Sequence, residues 1–207
     1  MSDTIQRSPE WFASKLGRVG ASRVSEIMAT TKSGPSASRK NYMAELLCER
    51  LTGKYAEDYQ SPAMLWGIEN EPLARAAYEM ETGNSVTECG GFPHPTIPMA
   101  GASPDGLIGD SGVLEIKCPN TATHLSTLDS RTIDLKYRYQ ITWQVRCSGR
   151  EWGDFVSFDP RLPGKLSICI IHFDPPKEMM DDCEREVRAF VEELDALEKR
   201  MRERMGE

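Results

Sequence analysis

The sequence predicts a mixed α/β (α+β) domain, and three of its features carry that prediction. Helical segments at the start give way, after about residue 84, to short apolar runs separated by Gly, Pro and Asp, as antiparallel strands are. A helix, two more strands and a last helix follow, so the order is neither all-helical nor a strict strand–helix alternation. The run Leu166-Ser167-Ile168-Cys169-Ile170-Ile171 is nearly all apolar and reads as a strand at the centre of the sheet.

From the N-terminus, Ser8 caps a short helix in which Pro9 holds the first position, where its missing N–H does no harm. Ser22 is placed to cap a second helix through Ile27 and Met28. The stretch Lys32-Ser33-Gly34-Pro35-Ser36 breaks the chain before a third helix over about Ser38–Thr52, which Gly53 stops. A fourth helical stretch covers about Pro62–Glu81 and ends at Gly83, with Pro72 implying a kink or a restart. Strands are expected at Ser85–Glu88, Ile97–Ala102, Leu107–Ile108 and Val113–Lys117, then a helix over about Ile133–Cys147 and strands at Asp154–Phe158 and Leu166–Phe173. The last element is a long helix over about Pro176–Arg204. Its Met180, Cys183, Val187, Phe190, Val191, Leu194, Leu197 and Met201 recur at spacings of three and four and form a stripe for the sheet or another subunit.

With 207 residues, 39% of them hydrophobic and 28% charged, the chain reads as one soluble domain, residues 1–207. No apolar run approaches the roughly 20 residues of a membrane span, so no membrane role is expected. The segment from Met1 to Ser8 lacks the apolar core of a secretory signal. Six cysteines are scattered without a Cys-x-x-Cys pair, which argues against a structural zinc site and for reduced thiols in a cytoplasm. The net charge of −7 is unevenly spread: residues 61–110 carry one Lys/Arg against seven Asp/Glu, between two mildly basic stretches. An acidic middle repels DNA phosphates unless a cation sits in it, and a divalent metal is the obvious candidate.

One constellation carries chemistry: Ser103-Pro104-Asp105-Gly106, eight residues, then Glu115-Ile116-Lys117. Residues two apart on a strand face the same way, so Glu115 and Lys117 share a face, and Asp105 sits in the connection just before. Two carboxylates and an ammonium suit metal-assisted phosphodiester hydrolysis. The acids hold one or two Mg²⁺, the lysine orients or activates the water, and the Ile116 carbonyl adds a hard oxygen ligand. By itself the pattern equally describes a surface turn and an edge strand with an ordinary ion pair.

Its neighbours extend the pattern. Upstream lie Trp66-Gly67, Glu71, Ala74-Arg75 and Glu79; downstream, Tyr139-Gln140-Ile141-Thr142-Trp143-Gln144 places amides on another helix. Together with Leu16-Gly17, Ala21-Ser22, Leu114-Glu115, Lys117-Cys118-Pro119 and Asp159-Pro160-Arg161, these make the sequence from Trp11 to Arg161 resemble the lambda exonuclease, YqaJ-like alkaline exonuclease group of the PD-(D/E)xK nuclease superfamily.

The resemblance implies a restriction-endonuclease-like fold, a central mixed sheet flanked by helices. It implies a Mg²⁺-dependent enzyme, with Mn²⁺ able to substitute, that degrades linear double-stranded DNA processively from 5′ ends, releases 5′-mononucleotides and leaves a 3′ single strand for an annealing protein. Members resembling this chain assemble as ring-shaped homotrimers. Carried over by position, Asp105 and Glu115 are metal ligands with the Ile116 carbonyl, Lys117 contacts the water or scissile phosphate, and Glu71 and Gln140 hold or orient water. Lys15, Ser22 and Ser103 match a 5′-phosphate pocket, with lysine where the family usually has arginine. Met64 matches an apolar wedge, although a core role is equally compatible. A basic position after Pro119 is replaced by Thr123, with His124 as a substitute. A superfamily endonuclease and a catalytically silent DNA-end-binding protein are the alternative readings.

Other residues read more plainly. His94, His124 and His172 are too scattered for a zinc triad. Lys136, Arg138 and Arg146 face either DNA or solvent. Arg161 either touches the DNA backbone or pairs with Asp159. The four tryptophans, Trp11 among them, read as packing residues.

Overall fold

The computed structural model describes residues 6, 8–32, 34–55 and 61–206. Met1–Ile5 and Arg7 of the N-terminal segment, and Ser33 of the break before the third helix, lie outside the described residues. The Ser8 hydroxyl accepts the Trp11 N–H and opens α1 (Pro9–Lys15). Next come β1 (Val19–Gly20), a 3₁₀ turn at Ala21–Arg23 and α2 (Val24–Met28). Ser22 therefore lies inside the turn and does not cap α2; Arg23 occupies the cap position and makes no side-chain capping bond. A small hairpin, β2 (Thr30–Thr31) with β3 (Gly34–Pro35), precedes α3 (Ala37–Thr52). Ser36 caps α3, and Gly53 ends it at φ 65°, a left-handed conformation that favours glycine.

α4 (Pro62–Thr82) is capped by Ser61 and runs through Pro72 as one helix, so of the expected kink or restart the restart does not occur. Its buried Ala74 and Tyr78 pack on the sheet beyond the proline, and that packing holds the helix in one piece. Four short strands follow: β4 (Val86–Thr87), β5 (Phe92–Pro93), β6 (Ala100–Ala102) and β7 (Gly106–Ile108). Then come β8 (Gly112–Lys117), α5 (Thr121–Ser130), α6 (Leu135–Ser148), β9 (Trp152–Phe158), β10 (Ile168–Phe173) and α7 (Lys177–Met205).

The main sheet has the order β10-β9-β8-β7-β4. β8 and β9 are parallel, joined by a crossover through α5 and α6, and the other pairs are antiparallel, so the sheet is mixed as expected. Leu114, Ile116 and Val156 point to α4, while Val113 and Phe155 point to Ile141 and Val145 of α6. A third apolar cluster joins α7, through Cys183, Val187, Phe190 and Leu194, to Val24, Ile27, Tyr42, Leu46 and Trp143. A smaller sheet, β1-β6-β5, feeds from β6 straight into the loop that precedes β7.

β10 is an edge strand, not the central one its apolar run predicts, and it begins only at Ile168 after a 3₁₀ turn over Gly164–Ser167. The run is apolar because both faces are covered: Ile168 and Ile170 join the α4 cluster, and Ile171 and Phe173 join the α6 cluster. α5 has no counterpart in the hydrophobic pattern, since Thr-Ala-Thr-His-Leu-Ser-Thr-Leu carries no apolar stripe; Asn120 caps it by accepting the Thr123 N–H.

Candidate active site

β8 delivers Glu115 and Lys117 to one place. The Lys117 Nζ lies 2.5 Å from Glu115 Oε1, as the two-residue spacing requires. Glu115 is only 1% exposed, whereas Lys117 keeps 30% of its side chain in contact with solvent. Asp105 joins them from the loop before β7: its Oδ2 accepts the Ile116 N–H at 2.7 Å, and its own N–H donates to the Leu114 carbonyl at 3.0 Å. The N–H and C=O of a strand residue leave on the same edge, so the Ile116 carbonyl also faces the Asp105 side, where β7 has not yet begun.

The electrostatics agree with this convergence. Burial, and then the Glu115 carboxylate, push the Asp105 carboxyl well above the ordinary carboxylate range; Glu71 adds to this and Lys117 opposes it. For Lys117, burial works to lower the pKa, but Glu115 and Asp105 outweigh it and hold the ammonium above its usual value.

Two helices complete the surround. Gln140 on α6 donates from Nε2 to Glu115 Oε1 at 2.7 Å. On α4, Glu71 pairs at 2.9 Å with Arg75, whose Nη2 also reaches the Asp105 carbonyl at 3.3 Å and whose Nη1 pairs with Glu88. Arg75 is thus a site residue with no role assigned from sequence, although its i, i+4 spacing from Glu71 is visible there.

Lys15, Ser22, Ser103 and Met64 line one cavity of about 530 Å³. Met64 is 52% exposed and projects at the cavity wall, so a core role is excluded. Burial pulls the Lys15 ammonium down to about 8, against the attraction of Asp105 and Glu115, and Ser103 in the cavity lining is two residues before Asp105 in the chain. Trp11 joins its two sides: the Lys15 Nζ sits 3.6 Å from the indole centroid, and the indole N–H donates to Ser103 Oγ at 3.2 Å. Trp11 therefore does more than pack. The helix N-terminus expected at Ser22 is reduced to a 3₁₀ turn, and Ser22 itself is exposed.

Among the described residues, no group of three or more His, Cys, Asp or Glu side chains gathers to hold a metal. Two carboxylates and a carbonyl, all hard oxygen donors, are nevertheless what a magnesium ion accepts, since it keeps several of its waters. The Asp105 carboxyl, raised by burial and by the charge of Glu115, is the local charge conflict that a cation relieves. The residues fit Mg²⁺.

Elsewhere the alternatives resolve. His124 is fully buried, with Nδ1 2.8 Å from Ser157 Oγ and Nε2 2.9 Å from the Leu166 carbonyl, so it cannot stand in for a basic residue at the surface. Arg161 pairs with the buried Asp159 at 2.7 Å and lies over the Trp66 ring. His94 stacks on Trp143, and His172 pairs with Asp154, so neither belongs to a metal cluster among the described residues. Arg146 pairs with Glu184, Arg138 lies on the Phe173 ring, and Lys136 lies over Tyr137.

A family model described as the YqaJ-like viral recombinase domain matches residues 10–151. Among solved structures the chain is similar to LHK-Exo, an alkaline exonuclease from Laribacter hongkongensis, with 46% identity over 96% of this chain and 98% of that one. The TM-score is 0.89, and 0.90 for LHK-Exo in complex with dAMP. A phage related exonuclease from Haemophilus somnus 129PT shares 15% identity over 89% of this chain and 96% of that one, at a TM-score of 0.73, and is a likeness of fold alone. No match was found among curated proteins. The mixed sheet flanked by helices is the nuclease fold of the alkaline exonuclease structures.

Proposed function

This chain belongs to the YqaJ-like viral recombinase domain family, and from that premise we propose that it is a Mg²⁺-dependent exonuclease acting 5′ to 3′ on linear double-stranded DNA. It releases 5′-mononucleotides and leaves 3′ single strands for an annealing protein in recombination. The observation that carries this reading is the gathering of Asp105, Glu115 and Lys117 around the Ile116 peptide, together with a cavity lined by the half-buried Lys15 and by the Ser22 and Ser103 hydroxyls. The likeness to an alkaline exonuclease at 46% identity supports it.

In this reading Asp105, Glu115 and the Ile116 carbonyl would hold one or two ions, which would supply Lewis-acid stabilisation of charge on the phosphate, and Mn²⁺ would substitute. Lys117, kept as an ammonium by its carboxylate neighbours, orients the attacking water and the scissile phosphate. Gln140 fixes one oxygen of Glu115. Glu71 orients water while Arg75 ties it to the Asp105 backbone. Lys15 with Ser22 and Ser103 reads the 5′-terminal phosphate, a cation and two hydroxyl donors being suited to that anion. Met64 leans on the terminal bases.

A homotrimeric ring reconciles the net charge of −7 with a DNA substrate. An open enzyme held by a few Lys/Arg contacts dissociates at physiological salt, whereas a ring prevents escape without a tight grip. The test compares linear with covalently closed circular duplex in Mg²⁺. An exonuclease consumes the first and spares the second; cutting of the closed circle points to the endonuclease alternative instead. Loss of neither, with retained binding to ends, points to the silent end-binding protein.

A further inference from the structure

α6 brings a second amide to Glu115 that the proposed mechanism does not use. Gln140 and Gln144 are four residues apart, so they lie on one face of the helix. Gln140 Nε2 donates to Glu115 Oε1 at 2.7 Å, and Gln144 Nε2 donates to Glu115 Oε2 at 2.5 Å. Both oxygens of the carboxylate are therefore held by donors on a single helix, with Lys117 sharing Oε1. Tyr137, three residues before Gln140, places its ring 5.3 Å from Lys117 Nζ and continues the same stripe of α6.

Gln144 is fully buried, and its own Oε1 has no hydrogen-bond partner among the described residues. A buried acceptor left without a hydrogen bond costs stability, whereas Met or Leu would fill the same space without that penalty. An amide at this position is explained by what its N–H group does. Neutral amides also suit such a role, because they fix a carboxylate without adding a charge that would compete with a cation.

We infer that Gln144 is a positioning residue for the metal site. It fixes the second oxygen of Glu115, as Gln140 fixes the first, so that the carboxylate is set in one orientation before a cation arrives. This rests on the reading of Asp105 and Glu115 as metal ligands. Residues that orient a ligating carboxylate change metal affinity about 10–100-fold when removed.

The test titrates Mn²⁺ alone into the DNA-free protein by calorimetry, comparing the natural chain with Gln144→Met, which keeps the length and loses the donor. The expected result is a dissociation constant about 10–100-fold higher in the variant, with unchanged thermal unfolding in EDTA. In the cleavage assay the Mg²⁺ concentration for half-activation should rise in parallel, while kcat at saturating Mg²⁺ and the KM for DNA stay near the natural values. Equal Mn²⁺ affinity in the two proteins overturns the inference, as does a kcat that stays low at saturating metal. Should Gln144→Met unfold in EDTA, Gln144→Asn, whose amide falls one methylene short, is read by the same two criteria. A natural chain that takes up no Mn²⁺ overturns the metal reading itself.

Discussion

Lys117 sits beside the Glu115 and Asp105 carboxylates with part of its side chain open to solvent, so its truncation leaves those acids uncompensated and removes the ammonium proposed to orient the water and the scissile phosphate. Lys117→Ala should lower kcat by about 10²–10⁴-fold while binding to DNA ends persists in a gel-shift assay; unchanged cleavage would remove it from the mechanism. Lys15 gives a pH signature. Burial holds its ammonium down to about 8 in the cavity, so raising the pH through that value neutralises it. The preference for 5′-phosphorylated over 5′-hydroxyl ends should therefore fall as pH rises from about 7 to about 9. Lys15→Arg, always charged, should keep the preference flat, and Lys15→Ala should lose it at every pH; competition between the two kinds of end reads all three. Among single residues, Glu115 and Lys117 are legible because a strand's period of two is strict, and Asp105 because its Pro-Asp-Gly turn directly precedes the hairpin that leads to them. Gln144 was visible at i+4 from Gln140, but nothing in the sequence says which carboxylate oxygen an amide will meet. Trp11 reads as packing because the indole N–H that bonds Ser103 comes from 92 residues away.

α7 reaches the site only through what it supports. Phe190 is fully buried and stacks on Tyr42, with ring centroids 5.6 Å apart, and the same helix pairs Glu193 with Arg39 of α3. Phe190→Ala should cost about 3–5 kcal/mol of stability, as large-to-small core changes do, measured by urea unfolding. A loss below about 1 kcal/mol would mean that the stripe is not packed as described. That stripe, the Ser8 cap of α1 and the stops of α3 at Gly53 and of α4 at Gly83 could be read from spacing and from Ser and Gly at the ends, because those signals are local. The strand order could not. The apolar 166–171 run reports that both faces are covered, and an edge strand between α4 and α6 satisfies that as well as a central one does. The pairing of β1 with β6 joins Val19 to Ala100, and no local pattern encodes a contact of that separation. Ser22 misled for the opposite reason: a residue of the right type for a cap lies in a 3₁₀ turn whose cap positions fall on its neighbours.

For the whole molecule, the proposed cation site and the proposed closed assembly would together reconcile an acidic chain with a polyanionic substrate. The proposed ring predicts a species of about three times the 23.2 kDa chain mass in sedimentation equilibrium; a monomer at assay concentrations would leave processivity without a physical basis. The described helices include none long and apolar enough to cross a membrane. Whether Asp105, Glu115 and Lys117 with Mg²⁺ strip nucleotides from the 5′ end of a duplex is decided by digesting a linear duplex labelled on either the 5′ or the 3′ terminus. With Mg²⁺, the 5′ label should appear at once as a mononucleotide while the 3′ label stays on a long strand, and EDTA should stop both. Early release of the 3′ label, fragments longer than a mononucleotide, or digestion that persists in EDTA would contradict it.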